Sequence, residues 1–202
     1  MADTPTISAA DVGKLRAATG AGLMDCKKAL MESNGDYEKA VDWLRKKGKQ
    51  IADKKADREV KAGGVFSYMH HSGTLGVLLE MGCETDFVAR NDEFQATAKD
   101  IAMHIAASNP IALTRDQVPA DVVAREKEVY AQSDKLKGKP EAMIGKIVDG
   151  MLETFFKERC LLDQPFAKDA TKTIKEVVQG LSAKSGENVQ IVRFARFKVG
   201  EK

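Results

Sequence analysis

Six side chains are of the types that most often carry thiol or metal chemistry. Structural zinc sites bring their ligands together in closely spaced pairs, and neither a Cys-x-x-Cys pair nor a Cys/His cluster occurs in this chain. We therefore expect no metal site, reduced cysteines that pack as small apolar side chains, and histidines that lie at an edge or an interface. The six residues are Cys26, Cys83, Cys160, His70, His71 and His104.

The motifs of nucleotide-binding and acyl-transfer enzymes do not occur either. The chain has no P-loop, no Gly-x-Gly-x-x-Gly and no Gly-x-Ser-x-Gly. We therefore expect a protein that is not an enzyme and that has no cofactor. One alternative is a thiol enzyme that uses Cys83 with a histidine, and an unusually reactive Cys83 would support it.

An acid and an aromatic ring stand side by side in the segment Cys83–Asp92. This segment lies between a strand-like run, Leu75–Cys83, and a helix that begins near Asn91. A ring displayed on such a rigid corner suits a protein-binding site, because one ring buried in a partner's pocket can dominate an interface. The alternative is local: Asp86 caps a turn and Phe87 belongs to the core.

A second apolar pair directly follows a glycine-containing turn. Leu23 and Met24 come after Thr19–Gly22, at the start of a predicted helix. Side chains beside such a turn can point outward and form an apolar patch, and patches of this kind usually mark partner contacts.

Composition limits the classes of partner. The chain has 202 residues, 43% of them hydrophobic, and a formal net charge of +2. So small a charge gives no field that would favour nucleic acid or a membrane surface. Met1–Pro5 lacks the character of a secretory or transit signal, and no apolar run approaches the roughly 20 residues that cross a bilayer. We expect a cytoplasmic protein that binds neither nucleic acid nor membrane.

Two modules position these segments. The first 50 residues read as three short helices, with Ser8 and Asp11 forming a capping box and Asp36 capping the third helix. Residues 51–62 read as a charged helical linker. We place a three-helix domain at 1–50 and an α+β core at 63–202.

The core pattern changes from strands to helices and back. Two strand-like runs flank Ser72-Gly73, which is typical of a β-hairpin. Helices are predicted after Asn91, over 118–130, over 141–156 and over 171–181, and Val189–Val199 alternates as a final strand. Three antiparallel strands packed with helices make an α+β core.

Taken together, these segments resemble the elongation factor Ts family. The resemblance covers nearly the whole chain, with the motifs in the family's order. They are Thr19–Gly22, Met24–Leu30, Thr85–Ala89, Ile101–Ala107, Gly138–Pro140, Gln164–Phe166 and Val192–Phe194.

The resemblance implies a function. Members are guanine-nucleotide exchange factors for elongation factor Tu, and their N-terminal module resembles ubiquitin-associated domains. Carried over by position, Phe87 would wedge between helices of the GTPase near its magnesium site, with Asp86 beside it. Leu23 and Met24 would contact a helix of its nucleotide-binding domain, and His104 would sit at the core-domain interface. The implied partner-binding residues are Asp86, Phe87, Thr85, Val88, Leu23, Met24 and His104.

One departure from the family bears on assembly. Longer members carry a second core subdomain and a projecting helical hairpin, whereas this chain has one core unit. Short members resemble homodimers, so we expect a homodimer, with Val189–Val199 as the candidate pairing surface. The alternative, from the N-terminal module alone, is a polypeptide-binding adaptor resembling ubiquitin-associated domains; residues 1–50 would then keep full binding to the target.

Overall fold

The computed structural model describes residues 7–201, apart from the side chains at 135, 141 and 142. The expectation about a targeting signal in Met1–Pro5 therefore lies outside the described residues. The chain forms two compact units. Among the described residues, the first contains 7–64 together with 81–95 and 176–190, and the second contains 65–80, 96–175 and 191–201.

The described elements follow the predicted order of a helical module and an α+β core. The helices are α1 Ala9–Thr19, α2 Leu23–Glu32, α3 Tyr37–Lys55, α4 Asp86–Ala89, α5 Asp92–Ser108, α6 Ala120–Ala131, α7 Glu141–Arg159 and α8 Ile174–Ser185. The strands are β1 Ala62–Met69, β2 Leu75–Cys83, β3 Pro165–Phe166, β4 Asp169–Thr173 and β5 Gln190–Lys198.

The first unit begins with the three predicted helices. Ser8 forms the capping box with Asp11, whose backbone N–H donates to the serine hydroxyl at 3.1 Å. Gly20 ends α1 in the left-handed conformation, with φ 68°, which glycine adopts without steric cost. Asp36 caps α3 by accepting from the backbone N–H of Lys39 at 3.1 Å. A small apolar core lies between the helices, formed by Val12, Leu15, Cys26, Ala29, Leu30, Ala40 and Leu44.

Helix α3 is longer than predicted and packs on the part of α8 that belongs to the same unit. It continues to Lys55, past the boundary predicted at residue 50. Gln179 donates to the Asp53 carboxylate at 3.1 Å, and the Arg45 guanidinium donates to Glu176 at 3.1 Å. These contacts stabilise the helical conformation of a segment that has little apolar surface of its own.

The three-stranded antiparallel sheet is confirmed. Its strand order is β1-β2-β5, so the hairpin β1–β2 is extended by the final strand. The hairpin turn contains Gly73 with φ 70°, and His70 N–H donates to the Leu75 carbonyl at 2.9 Å. On β2 the side chains alternate as expected for a half-buried strand, and Val77, Leu79 and Met81 are buried.

A second, two-stranded sheet was not predicted. Strands β3 and β4 pair antiparallel, with Pro165 opposite Thr173 and Phe166 opposite Asp169. The helix predicted from Thr171 therefore begins only at Ile174, because residues 169–173 form β4. In the second unit α6 and α7 pack against each other, with Phe155 among the buried side chains between them.

Candidate functional site

The corner between β2 and α5 is built by a short helix with a side-chain cap. Thr85 has an extended backbone, with φ −128° and ψ 156°, and its hydroxyl accepts from the backbone N–H of Val88 at 3.4 Å. After one turn of α4, the Asn91 side chain accepts from the backbone N–H of Glu93 at 2.8 Å and starts α5. The chain therefore reverses from strand to helix with its caps satisfied locally.

The two side chains that follow Asp86 point in opposite directions. Val88 is buried, whereas Phe87 is 80% exposed. The alternative that Phe87 belongs to the core and that Asp86 caps a turn is therefore wrong: the ring is exposed, and Thr85 rather than Asp86 supplies the cap. Asp86 is exposed and pairs with Arg90 one turn later at 3.0 Å. The corner displays a carboxylate and a ring to solvent.

The base of the corner is tied to a distant turn of the same unit. The Glu187 carboxylate accepts from the backbone N–H groups of Glu84 and Thr85, both at 3.0 Å. It also accepts from the Thr85 hydroxyl at 2.6 Å. Sequence reasoning missed Glu187, because nothing local marks a glutamate 102 residues from its partner.

Cys83 lies at the base of this corner and is buried. Its Sγ is buried and donates to the Thr85 carbonyl at 3.1 Å. Burial, and to a lesser extent the negative charge of Glu187, raises the pKa of the Cys83 thiol. Because the thiolate is the nucleophilic form, this environment opposes the alternative of a thiol enzyme that uses Cys83. Cys26 and Cys160 are also buried, as predicted.

Leu23 and Met24 lie at the first turn of α2. They are 53% and 73% exposed, whereas Cys26, Ala29 and Leu30 on the opposite side are buried. The N-cap residue of the helix is Gly22, so the helix has no side-chain cap. The prediction of an outward-facing apolar pair is confirmed.

One lysine of α8 contacts both the turn before α2 and the start of α5. This residue, Lys184, forms an ion pair with the Glu93 carboxylate. The same side chain lies against Gly20, so closely that a Cβ at this position would overlap it. Both exposed apolar segments, Leu23-Met24 and the corner, belong to the first compact unit.

His104 is placed differently from the other predicted site residues. It is only 3% exposed and belongs to the second unit. Its Nδ1 accepts from the backbone N–H of Ala167 at 3.2 Å, so Nε2 carries the proton and donates to Gln164 Oε1 at 2.9 Å. Burial lowers the pKa of His104, and the bond to Gln164 opposes that shift. The side chain is a neutral, hydrogen-bonded part of the core.

The sheet carries a third exposed apolar surface, in the second unit. Alternation places Leu78 and Gly76 on one face of β2, and Met69 lies over Gly76. Glu80 shares that face and pairs with Arg193 at 2.6 Å, which puts the β5 residues of the same parity on it. We call this the outer sheet face; its exposed large apolar residues are Val65, Met69, Leu78 and Phe197.

The described residues contain neither a metal-binding cluster nor a membrane-spanning helix. No three of their histidine, cysteine or carboxylate side chains are arranged to hold a metal ion. None of the described helices is both long enough and apolar enough to span a membrane.

Comparison with known proteins gives a consistent result. The family model described as "Elongation factor TS" matches residues 19–201. The chain is 55% identical over 195 residues to elongation factor Ts of Fervidobacterium nodosum, covering 96% of this chain and 99% of that protein. It is 54% identical over 196 residues to elongation factor Ts of Geobacter sulfurreducens, covering 97% and 91%. For the protein of the same name from Solidesulfovibrio magneticus, identity is 54% over 195 residues, covering 96% and 98%.

Proposed function

The chain belongs to the elongation factor Ts family, the nucleotide exchange factors of elongation factor Tu in translation elongation, and we propose that its corner expels GDP. The observation that carries this proposal is Phe87, a large ring that is 80% exposed on a braced turn. Exposing such a ring to water is unfavourable, so its position is explained best by a partner's pocket.

The mechanism that we propose needs no covalent step. A GTPase holds GDP through backbone amides of its phosphate loop and through a magnesium ion on the phosphates. Phe87, inserted between helices near that magnesium, displaces both elements without touching the base. Asp86 enters beside the ring as the polar member of the pair. The factor acts only through binding energy and is not an enzyme.

Linkage fixes how much binding energy is required. Whatever lowers the affinity for GDP raises the affinity of the factor for the nucleotide-free GTPase by the same ratio. Lowering the affinity of the GTPase for GDP by about 10⁴-fold requires about 5.5 kcal/mol of differential binding. Single buried aromatic residues contribute several kcal/mol at interfaces, so the corner and a second contact together supply enough.

The second contact in this proposal is the pair Leu23 and Met24. It docks on a helix of the nucleotide-binding domain and holds the factor in place while the corner inserts. Thr85 caps the corner and reaches the partner from its exposed edge. Val88 and His104 are buried, and we assign them the role of keeping the corner and the core in shape.

We further propose a homodimer that pairs through the outer sheet face, including the final strand. Val65, Met69, Leu78 and Phe197 would lose their contact with water in such a pair. Replacing Phe197 with serine, followed by sedimentation, tests this assembly: the wild type should sediment as a dimer and the variant as a monomer. Monomeric wild-type protein at micromolar concentration would contradict it.

The domain division stays part of the proposal. We retain a three-helix domain at 1–50, a helical linker at 51–62 and the α+β core at 63–202. We also propose a cytoplasmic location, because translation factors work where ribosomes translate.

The decisive experiment follows release of a fluorescent GDP analogue from elongation factor Tu at fixed magnesium. Substoichiometric amounts of the chain should accelerate release strongly, because each molecule acts repeatedly. The matched control is Val129→Ala, which shortens an exposed apolar side chain on α6 and should leave the rate unchanged. If the folded wild-type chain fails to accelerate release from its cognate GTPase, the proposed function is wrong.

A further inference from the structure

Glu187 and the base of the corner hold each other in a reciprocal arrangement. Glu187 accepts from two backbone N–H groups and one hydroxyl of Glu84 and Thr85. In return, the Glu84 carboxylate accepts from the backbone N–H of Asn188 at 2.6 Å. We call these four residues, Glu84, Thr85, Glu187 and Asn188, the clamp.

The clamp is itself fixed to the chain after α3. The Asn188 side-chain amide donates to the carbonyls of Ala56 and Arg58, at 3.2 and 2.7 Å. Asn188 is buried, and Gly186, directly before Glu187, has φ 76°, a conformation that favours glycine. The turn that carries Glu187 is therefore a rigid support for the corner.

The hydrogen bonds of the clamp are of the stronger kind. A carboxylate that accepts from N–H or O–H groups forms charge-assisted bonds, roughly twice as strong as neutral ones. The Thr85 hydroxyl donates to Glu187 and accepts from Val88 N–H, so one side chain joins the clamp to the N-terminus of α4. Phe87 lies two residues after Thr85, so the clamp fixes the backbone from which the ring projects.

We propose that Glu187 is a positioning residue for nucleotide exchange: it holds the corner so that Phe87 meets the GTPase already in its inserting orientation. This inference rests on the proposed function. Pre-organisation matters because a loose loop must be ordered during binding, and that cost is subtracted from the binding energy. The ring of Phe87 makes the contact, and Glu187 determines how much of its energy is available for GDP release.

The test compares two glutamates of the first unit in the full-length chain. Glu187→Ala should lower the GDP release rate at saturating factor about tenfold, which corresponds to about 1.4 kcal/mol. The half-saturating concentration should change by less than about twofold, because Leu23 and Met24 still dock the factor. Glu176→Ala, which removes an ion pair with Arg45 away from the corner, should retain the wild-type rate.

A double variant separates positioning from general stability. In a Phe87→Ala background, Glu187→Ala should produce no additional loss of exchange, since interacting residues are not additive. The proposal would be overturned if the double variant lost exchange activity by the product of the two single-variant factors. A Glu187→Ala rate equal to that of Glu176→Ala would also overturn it. Glu187→Gln, which keeps the shape and one acceptor, should lie between wild type and alanine, and it replaces the alanine variant if that variant does not fold.

Amide hydrogen exchange in the free factor tests the clamp without the GTPase. In Glu187→Ala, the amides of Glu84 and Thr85 should exchange at least about tenfold faster than in the wild type. Unchanged protection would overturn the inference even if exchange activity is lost. If the wild-type factor does not accelerate GDP release from elongation factor Tu, the proposed function fails. The amide protection of Glu84 and Thr85 still decides, independently, whether Glu187 holds the corner.

Discussion

Phe87 and Phe94 stand seven positions apart in one compact unit, yet they occupy opposite environments. Phe94, in the first turn of α5, is 0% exposed, whereas Phe87, on α4, is 80% exposed. The same kind of side chain thus stabilises the fold at one position and is open to solvent at the other. Exposure, rather than residue type, separates the structural Phe94 from the Phe87 that we propose as the inserting ring.

The local chain explains this difference. Phe94 begins a stripe that continues through Ala98, Ile101 and Ile105, all of them fully buried on one face of α5. Helix α4 has only four residues, so one of its sides must face solvent, and burial of Val88 leaves Phe87 on that side.

The largest effect on stability should come from Phe94→Ala. Removing a fully buried ring leaves a cavity, and such substitutions typically cost about 3–5 kcal/mol. Urea unfolding of the wild type and the variant measures this loss. A loss below about 1 kcal/mol would mean that the site collapses around the smaller side chain, and the contrast with Phe87 would weaken.

Phe87→Ala should produce the reverse pattern. We expect the unfolding free energy to change by no more than about 0.5 kcal/mol, because the ring is exposed. Nucleotide exchange should fall about 100-fold, equivalent to about 2.7 kcal/mol, as for an interface residue that dominates binding. The measurements are urea unfolding and release of the fluorescent GDP analogue. A variant that unfolds but exchanges normally when folded would reverse the assignment.

Met24→Ala should have a smaller effect, and of another kind. This residue lies in the first turn of a helix without a side-chain cap and lacks a counterpart of the Glu187 contacts among the described residues, so we assign it to docking rather than insertion. The half-saturating concentration of factor should rise about tenfold, or about 1.4 kcal/mol, while the maximal rate stays near wild type.

Met31→Ala is the matched control, because Met31 is 51% exposed at the other end of α2. It should leave both kinetic parameters unchanged. Equal effects of the two methionine variants would show that α2 acts through its stability and not through a contact at its first turn.

Much of the fold around the site was predictable because the sequence patterns that indicate it are local. The Ser8 and Asp36 caps, the Ser72-Gly73 turn and the periodicity of α5 each act within a few residues, and the structure has all of them. The exposure of Phe87 was only one of two alternatives in the sequence, because a single turn of helix has too few residues to show a period.

The features that were missed depend on distant contacts. Strand β4, Asp169–Thr173, is polar and has no apolar alternation; it forms because β3 pairs with it. Helix α7 was predicted over 141–156, but its apolar residues are not equally buried: Leu152 and Phe155 are buried while Met143 is exposed. Adjacent residues lie about 100° apart on a helix, so one buried stripe cannot include every apolar side chain of the segment.

His104, the buried member of the predicted site residues, should make the free energy of unfolding depend on pH. Burial lowers its pKa below the ordinary value of 6.5, so the unfolded chain binds a proton that the folded chain excludes. Stability should therefore fall as pH drops from about 6.5 towards the folded-state value, by at most about 1.4 kcal/mol per pH unit. His104→Gln removes this contribution, and urea unfolding between about pH 7.5 and about pH 5.5 measures the difference from wild type. Identical pH profiles for wild type and His104→Gln would show that His104 accepts a proton inside the fold, and would contradict its assignment as a neutral residue that holds the core.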